Sequence, residues 1–174
     1  MGDSLITVVV IVLAAVLMFV FPLMTMSERT DDISQLVVST ATTEFVDEVR
    51  TTGVLTLGEY EKFIENINST GNVYEVEMKL GVLDENPGKK TTQATNTKLG
   101  ENVRFDKFTS QIEEELDSKG KITLKEGDIF SVSVKNKSQT LSQQLNNFLY
   151  TVSGNDSYII AAQHAGIVTV NGNK

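Results

Sequence analysis

Few residues in this chain can do chemistry. There is one histidine, His164, and no cysteine. Thiol catalysis, disulfide frameworks, thiolate zinc sites and cysteine-held iron–sulfur clusters are therefore excluded. A lone imidazole also leaves any histidine-based catalytic set or metal site without its second member. His164 falls between Gln163 and Ala165 in a stretch that reads as a strand, where a sheet can satisfy its ring. Carboxylates do cluster, at Asp31 and Asp32 and at Glu113 to Glu115, but on the expected solvent faces of helices, where charge serves solvation. Asp84-Glu-Asn-Pro-Gly88 lacks the ligand spacing of a calcium loop and reads as a β-turn. There is no Gly-rich phosphate loop, zinc-protease helix motif or nucleophile elbow. Asn68-Ser-Thr, Asn136-Lys-Ser and Asn155-Asp-Ser fit the acceptor pattern for N-glycosylation, which matters only where the host glycosylates surface proteins. The expectation is a chain that is not an enzyme and takes no cofactor or metal.

Charge narrows the partners. Across 174 residues, 15 Lys and Arg face 23 Asp and Glu, a formal net charge of -8. Nucleic-acid binding needs clustered positive charge to displace counterions from phosphates, so no nucleic-acid partner is expected. The length suits one domain with an appendage.

The appendage is at the N-terminus. Leu5 to Met26 reads LITVVVIVLAAVLMFVFPLMTM, without a charge, and the first basic residue is Arg29. About 20 apolar residues suffice to cross a bilayer's hydrocarbon core. The run is apolar all round, so every face must meet lipid or protein. It is too long for the core of a secretory signal, and no small-residue cleavage pattern follows Pro22. Two readings stay open: a plain anchor for a surface domain, or a helix that leaves the membrane and packs against copies of itself.

Residues 27–52 continue the helix, since neither Gly nor Pro interrupts them before Gly53. Ile33, Val37, Ala41, Phe45 and Val49 recur every four residues, joined by Leu36 and Val46, and predict one inward apolar stripe. A single helix from about residue 4 to about residue 51 would be roughly 70 Å long. Pro22 removes one backbone hydrogen bond, so a kink or a locally melted turn is expected there. It would act as an ordinary bend or as a hinge.

After residues 1–53, residues 54–174 predict an α+β head: a small, mostly antiparallel sheet with two or three helices. Thr56-Leu-Gly-Glu59 has the form of a capping box before a helix that ends at Asn68-Ser-Thr-Gly71. Residues 73–83 alternate as a half-buried strand. Asp84 to Asn102 reads as a long exposed loop. Phe105, Phe108, Ile112 and Leu116 predict a helix ending at Gly120. Lys121–Leu124 and Ile129–Lys135 flank Glu126-Gly-Asp128 as a hairpin. A further helix from about Thr140 turns Leu141, Leu145, Phe148 and Leu149 inward. Tyr158 to Val170 reads as the last and most buried strand.

The uncharged run from Leu5 to Phe21, the late Pro22, the amphipathic continuation to about Thr52 and the small head together resemble type IV-filament pilins and pseudopilins. VVSTATTEFVDEVRTTG looks more like the TadE-type minor pilins of the tight-adherence branch. The resemblance implies a structural subunit of an extracellular, pilus-like filament at the cell surface. It implies a membrane-inserted precursor, copies of itself as partners, and an assembly machinery in the membrane. Leu5, Ile6, Val9, Val12, Leu13, Val16, Phe19 and Val20 would pack against sister rods. The alternative, from another class, is a single-span, membrane-anchored surface protein whose head binds a partner or ligand. The family usually places a glutamate at the fifth mature position, whereas Leu5 and Ile6 are apolar here and the nearby acid is Asp3. In a dry bundle a carboxylate needs a partner. Asp3 would either pair with the α-amino group of Met1 or serve as a helix N-cap.

Overall fold

The structure, a computed structural model, describes residues 2–84, 104–150 and 160–172, with side chains up to 147 in the second segment. One α-helix, α1 (Gly2–Thr52), fills the first third of the chain. It stops at Gly53, whose φ of 67° lies in the left-handed region. A Cβ there would sit 2.3 Å from the Val170 carbonyl oxygen and 2.6 Å from the Gly172 nitrogen, so both conformation and space call for glycine. Leu124 donates its N–H to the Gly53 carbonyl (2.8 Å) and Gly172 donates to the Leu124 carbonyl (3.0 Å), which ties the end of the helix to the segment that follows the last strand.

The head then follows in the order β1 (Val54–Thr56), α2 (Leu57–Asn68), β2 (Tyr74–Leu83), β3 (Arg104–Phe108), α3 (Thr109–Lys119), β4 (Lys121–Thr123), β5 (Ile129–Asn136), α4 (Leu141–Tyr150) and β6 (Ala161–Ile167). An antiparallel four-stranded sheet has the order β3-β2-β5-β6, and β1 pairs with β4 in a separate ribbon. The class is α+β, a long apolar helix followed by an antiparallel sheet with helices. The capping box forms as its residues predict: Glu59 N–H donates to Thr56 Oγ1 (3.2 Å) and Thr56 N–H to Glu59 Oε2 (2.9 Å). The alternation in β2 also holds, with Met78 and Leu80 buried and Glu75, Glu77 and Lys79 exposed.

The second half of α1 lies across β5 and β6, and α2 packs on α1. Val38, Phe45, Val46 and Val49 meet Leu80, Phe130, Val132 and Val134 in one core. Phe45 is its centre, stacked on Phe63 at 4.5 Å and edge-on to Phe130 at 5.7 Å. Aromatic pairs of this kind add about 0.5–1.5 kcal/mol beyond area burial.

Several expectations are corrected. Arg104–Phe108 is strand β3, and the helix starts only at Thr109, because Lys79 to Leu83 of β2 pair with these residues in register. β4 does not form a hairpin with β5: it pairs with β1, although the turn at Gly127 (φ 94°) does form. β6 is the edge strand rather than the most buried one, and its side chains are exposed at alternate positions. In α4, Leu141 is exposed while Ser142 and Gln143 are buried. Helix α1 runs unbroken through Pro22, so no turn melts. The expected loop at 84–102 and the turn at Asp84 lie, beyond Asp84 itself, outside the described residues, as do the side chains of Phe148 and Leu149.

Candidate functional site

Most of the first half of α1 is exposed, with Leu17, Val20 and Met24 half-buried. It is long and apolar enough to cross a membrane, and none of its most apolar stretch is buried. Leu5, Ile6, Val9, Val12, Leu13, Val16 and Phe19 are exposed, and Val20 is half-buried. Pro22 lacks an N–H, so the Met18 carbonyl loses its helical donor. Beside it, Thr25 and Ser27 donate their hydroxyls back to the carbonyls of Phe21 (3.2 Å) and Leu23 (2.8 Å), a pattern that favours bending. Asp3 stands within the first turn of the helix rather than before it, exposed, where a carboxylate favours the positive end of the helix dipole. Its expected partner, the Met1 amine, lies outside the described residues.

Beyond Met26 the stripe differs from the one predicted. The buried positions are Ser27, Asp31, Ser34, Val38, Ala41, Thr42, Phe45, Val46 and Val49. Ile33 and Leu36, expected inward, are 64% and 67% exposed. At about 100° per residue they fall roughly opposite Asp31, Val38 and Phe45. They share that outward face with Met26 and Phe19, 66% and 76% exposed, and with one charge, Arg29. The apolar surface of the span thus continues up the back of the head-bearing helix. Leu36 is ten residues beyond Met26, about 15 Å along the axis. The charges at Glu28, Arg29, Asp31 and Asp32 follow the apolar run, and Ile33 and Leu36 lie beyond them, exposed in the single chain.

The remaining candidates are structural in their surroundings. Asp31, expected on a solvent face, is buried at 4% exposure and accepts the hydroxyls of Thr140 and Ser142. His164 Nε2 lies 3.5 Å from Asp47 Oδ1, and Arg50 Nε lies 3.4 Å from the same oxygen, so this group joins β6 to α1. Glu115 takes Lys107 at 2.7 Å and Lys119 at 2.6 Å, and these two ammonium groups hold its carboxyl below the usual range. Burial, reinforced by a 2.7 Å hydrogen bond to Glu113, pushes the Tyr60 phenol well above its ordinary value. Asn68 is exposed at the end of α2. Asn136 is half-buried and donates to the Ser138 carbonyl at 3.0 Å, which leaves its amide poorly presented for modification. Asn155 lies outside the described residues.

A half-open groove of about 560 Å³ crosses the uncovered sheet face, lined by Glu77, Lys79, Phe108, Ser131, Ser133 and Gln163. Across the β2–β5 pairing in it, Glu77 lies opposite Ser133 and Lys79 opposite Ser131. Among the described residues no cluster of three or more potential metal ligands occurs. The feature least accounted for by the fold of one chain is the bare apolar surface of α1, from Leu5 to Leu36. No protein-family model, curated protein or solved structure matches this chain.

Proposed function

We propose that this chain is a non-enzymatic structural subunit of an extracellular, pilus-like filament, which polymerises through α1 while the α+β head faces solvent. The observation that carries the reading is the outward apolar face at Ile33 and Leu36, above the charged band that ends the span. A plain anchor has no use for it. From Leu5 to Leu36 the apolar face is about 46 Å long, against about 30 Å of hydrocarbon. A tilt that hid it all would be about 50°, outside the 0–40° found for membrane helices. Another protein surface must cover the excess, and a second copy of α1 offers the same apolar face.

Within the bilayer, lipid already satisfies these side chains, so burial gives no drive to associate. In water each Å² removed is worth about 25 cal/mol. A subunit therefore waits in the membrane and an assembly machinery must lift it out, after which packing against sister rods holds it. Shear-released surface material, analysed by mass spectrometry and negative-stain microscopy, tests this. The chain should be found in ordered fibres. Its recovery only as a membrane-bound monomer would reject the proposal in favour of the anchored surface protein.

A further inference from the structure

Several buried polar side chains lie on α1 and at the start of α4. Asp31 of α1 meets Thr140, just before α4, and Ser142 of α4; these, with Ser27 and Ser34 of α1 and Gln143 of α4, are all at 5% exposure or less. Thr140 Oγ1 donates to Asp31 Oδ2 at 2.7 Å, and Ser142 Oγ donates to the same oxygen. Thr140 and Gln143 form their own capping pair, Thr140 N–H to Gln143 Oε1 at 2.9 Å and Gln143 N–H to Thr140 Oγ1 at 3.3 Å. Asp31 thus sits at the N-terminus of α4, where the helix dipole favours an anion. Among the described residues no cation pairs with it. Ser27 and Ser34 turn their hydroxyls back to Leu23 and Thr30 of their own helix and add nothing across the contact. Among the described residues, the extensive contact of α4 is with α1.

This interface differs in kind from the core above it. The sheet is held to α1 by Val38, Phe45, Val46 and Val49, whose exposure to water is opposed by the hydrophobic effect. Over its described side chains, which end at Asn147, the α4 contact is held by hydroxyls and a carboxylate, which water solvates well once they separate. We propose that α4 is a detachable strap, latched to the rod by Asp31, that opens as a unit while the sheet and the second half of α1 stay folded. When it opens, the side of α1 over Ser27, Asp31 and Ser34 is bared up to Val38, where the apolar core begins. The free rod is then longer by roughly three turns. The strap stands independently of the filament reading, since it concerns one chain alone.

Hydrogen exchange of the full chain in detergent micelles, read by mass spectrometry, tests it. In the wild-type chain the α4 amides should exchange at least tenfold faster than those of β5, reporting local opening. Asp31→Ala should speed α4 by a further tenfold or more and leave β5 unchanged. Equal rates in α4 and β5 of the wild type would overturn the proposal, as would an Asp31→Ala effect that is absent or shared by β5. Should Asp31→Ala yield no folded protein, Ser142→Ala decides. A smaller acceleration confined to α4 supports the strap, and an effect that is absent or equally present in β5 overturns it.

Discussion

Replacing Ile33 and Leu36 together by glutamine separates a packed rod from a tether. Both side chains are about two-thirds exposed in the single chain, at 64% and 67%. Full burial of such a side chain is worth about 1.5–3 kcal/mol. Two-thirds of that, for two residues, comes to about 3 kcal/mol lost per subunit contact. With about 1.4 kcal/mol per tenfold, association should weaken roughly a hundredfold. Glutamine keeps good helix propensity, and surface changes of this kind shift folding by less than about 0.5 kcal/mol. The thermal melting of the head should therefore barely move while the yield of shear-released fibres collapses. Fibres at wild-type yield from cells carrying only the double variant would refute the reasoning.

Four other outcomes are expected. Val9→Leu with Val16→Leu keeps the span apolar but changes its shape, so polymer yield should fall through overpacking of about 1–3 kcal/mol while membrane insertion is unaffected; unchanged polymer yield would contradict a packed rod. Asp3→Asn should reduce polymer yield if its charge pairs within the bundle, and unchanged yield would reduce Asp3 to a favourable dipole contact. Gly53→Ala combines a left-handed φ with a 2.3 Å clash against the Val170 carbonyl, and should cost at least about 2 kcal/mol in urea unfolding of the head. The Glu115 carboxyl is held below 4.5 in the folded chain by Lys107 and Lys119, so its contribution is complete above the unfolded value and lost as pH falls through the folded one. Acid unfolding followed by circular dichroism should show that loss below about pH 4.5, and Lys107→Gln with Lys119→Gln should flatten it.

How far the sequence reveals this molecule depends on how local each signal is. The uncharged run, the capping box at Thr56 and Glu59 and the alternation of β2 are set by neighbouring residues, and all three are legible. The expected stripe of α1 holds at Ala41, Phe45, Val46 and Val49 but fails at Ile33 and Leu36, because a four-residue repeat drifts around the helix, whereas Ser34, Val38, Ala41 and Phe45 track the head. No rule of apolar periodicity would choose Asp31 and two serines for burial. The partners of Asp31, Thr140 and Ser142, lie more than a hundred residues away, and this pairing is visible only once α4 is docked. Phe105 and Phe108 fit helical spacing with Ile112 and Leu116, but pairing with β2 overrides it. The ribbon of β1 and β4 consists of three-residue strands, too short for a period to show. As for the candidate surface, its span was legible from composition. Its extension to Leu36 was not, because an exposed apolar residue on an amphipathic helix reads as a buried one until the other face is found occupied.

The most direct measurement is the environment of α1 in shear-released fibres, by electron cryo-microscopy at a resolution that shows side chains. The prediction is a polymer of this chain in which Phe19, Met26, Ile33 and Leu36 lie against the α1 of a neighbouring copy. Fibres that lack the chain, or rods each enclosed by lipid with no sister helix in contact, would contradict it.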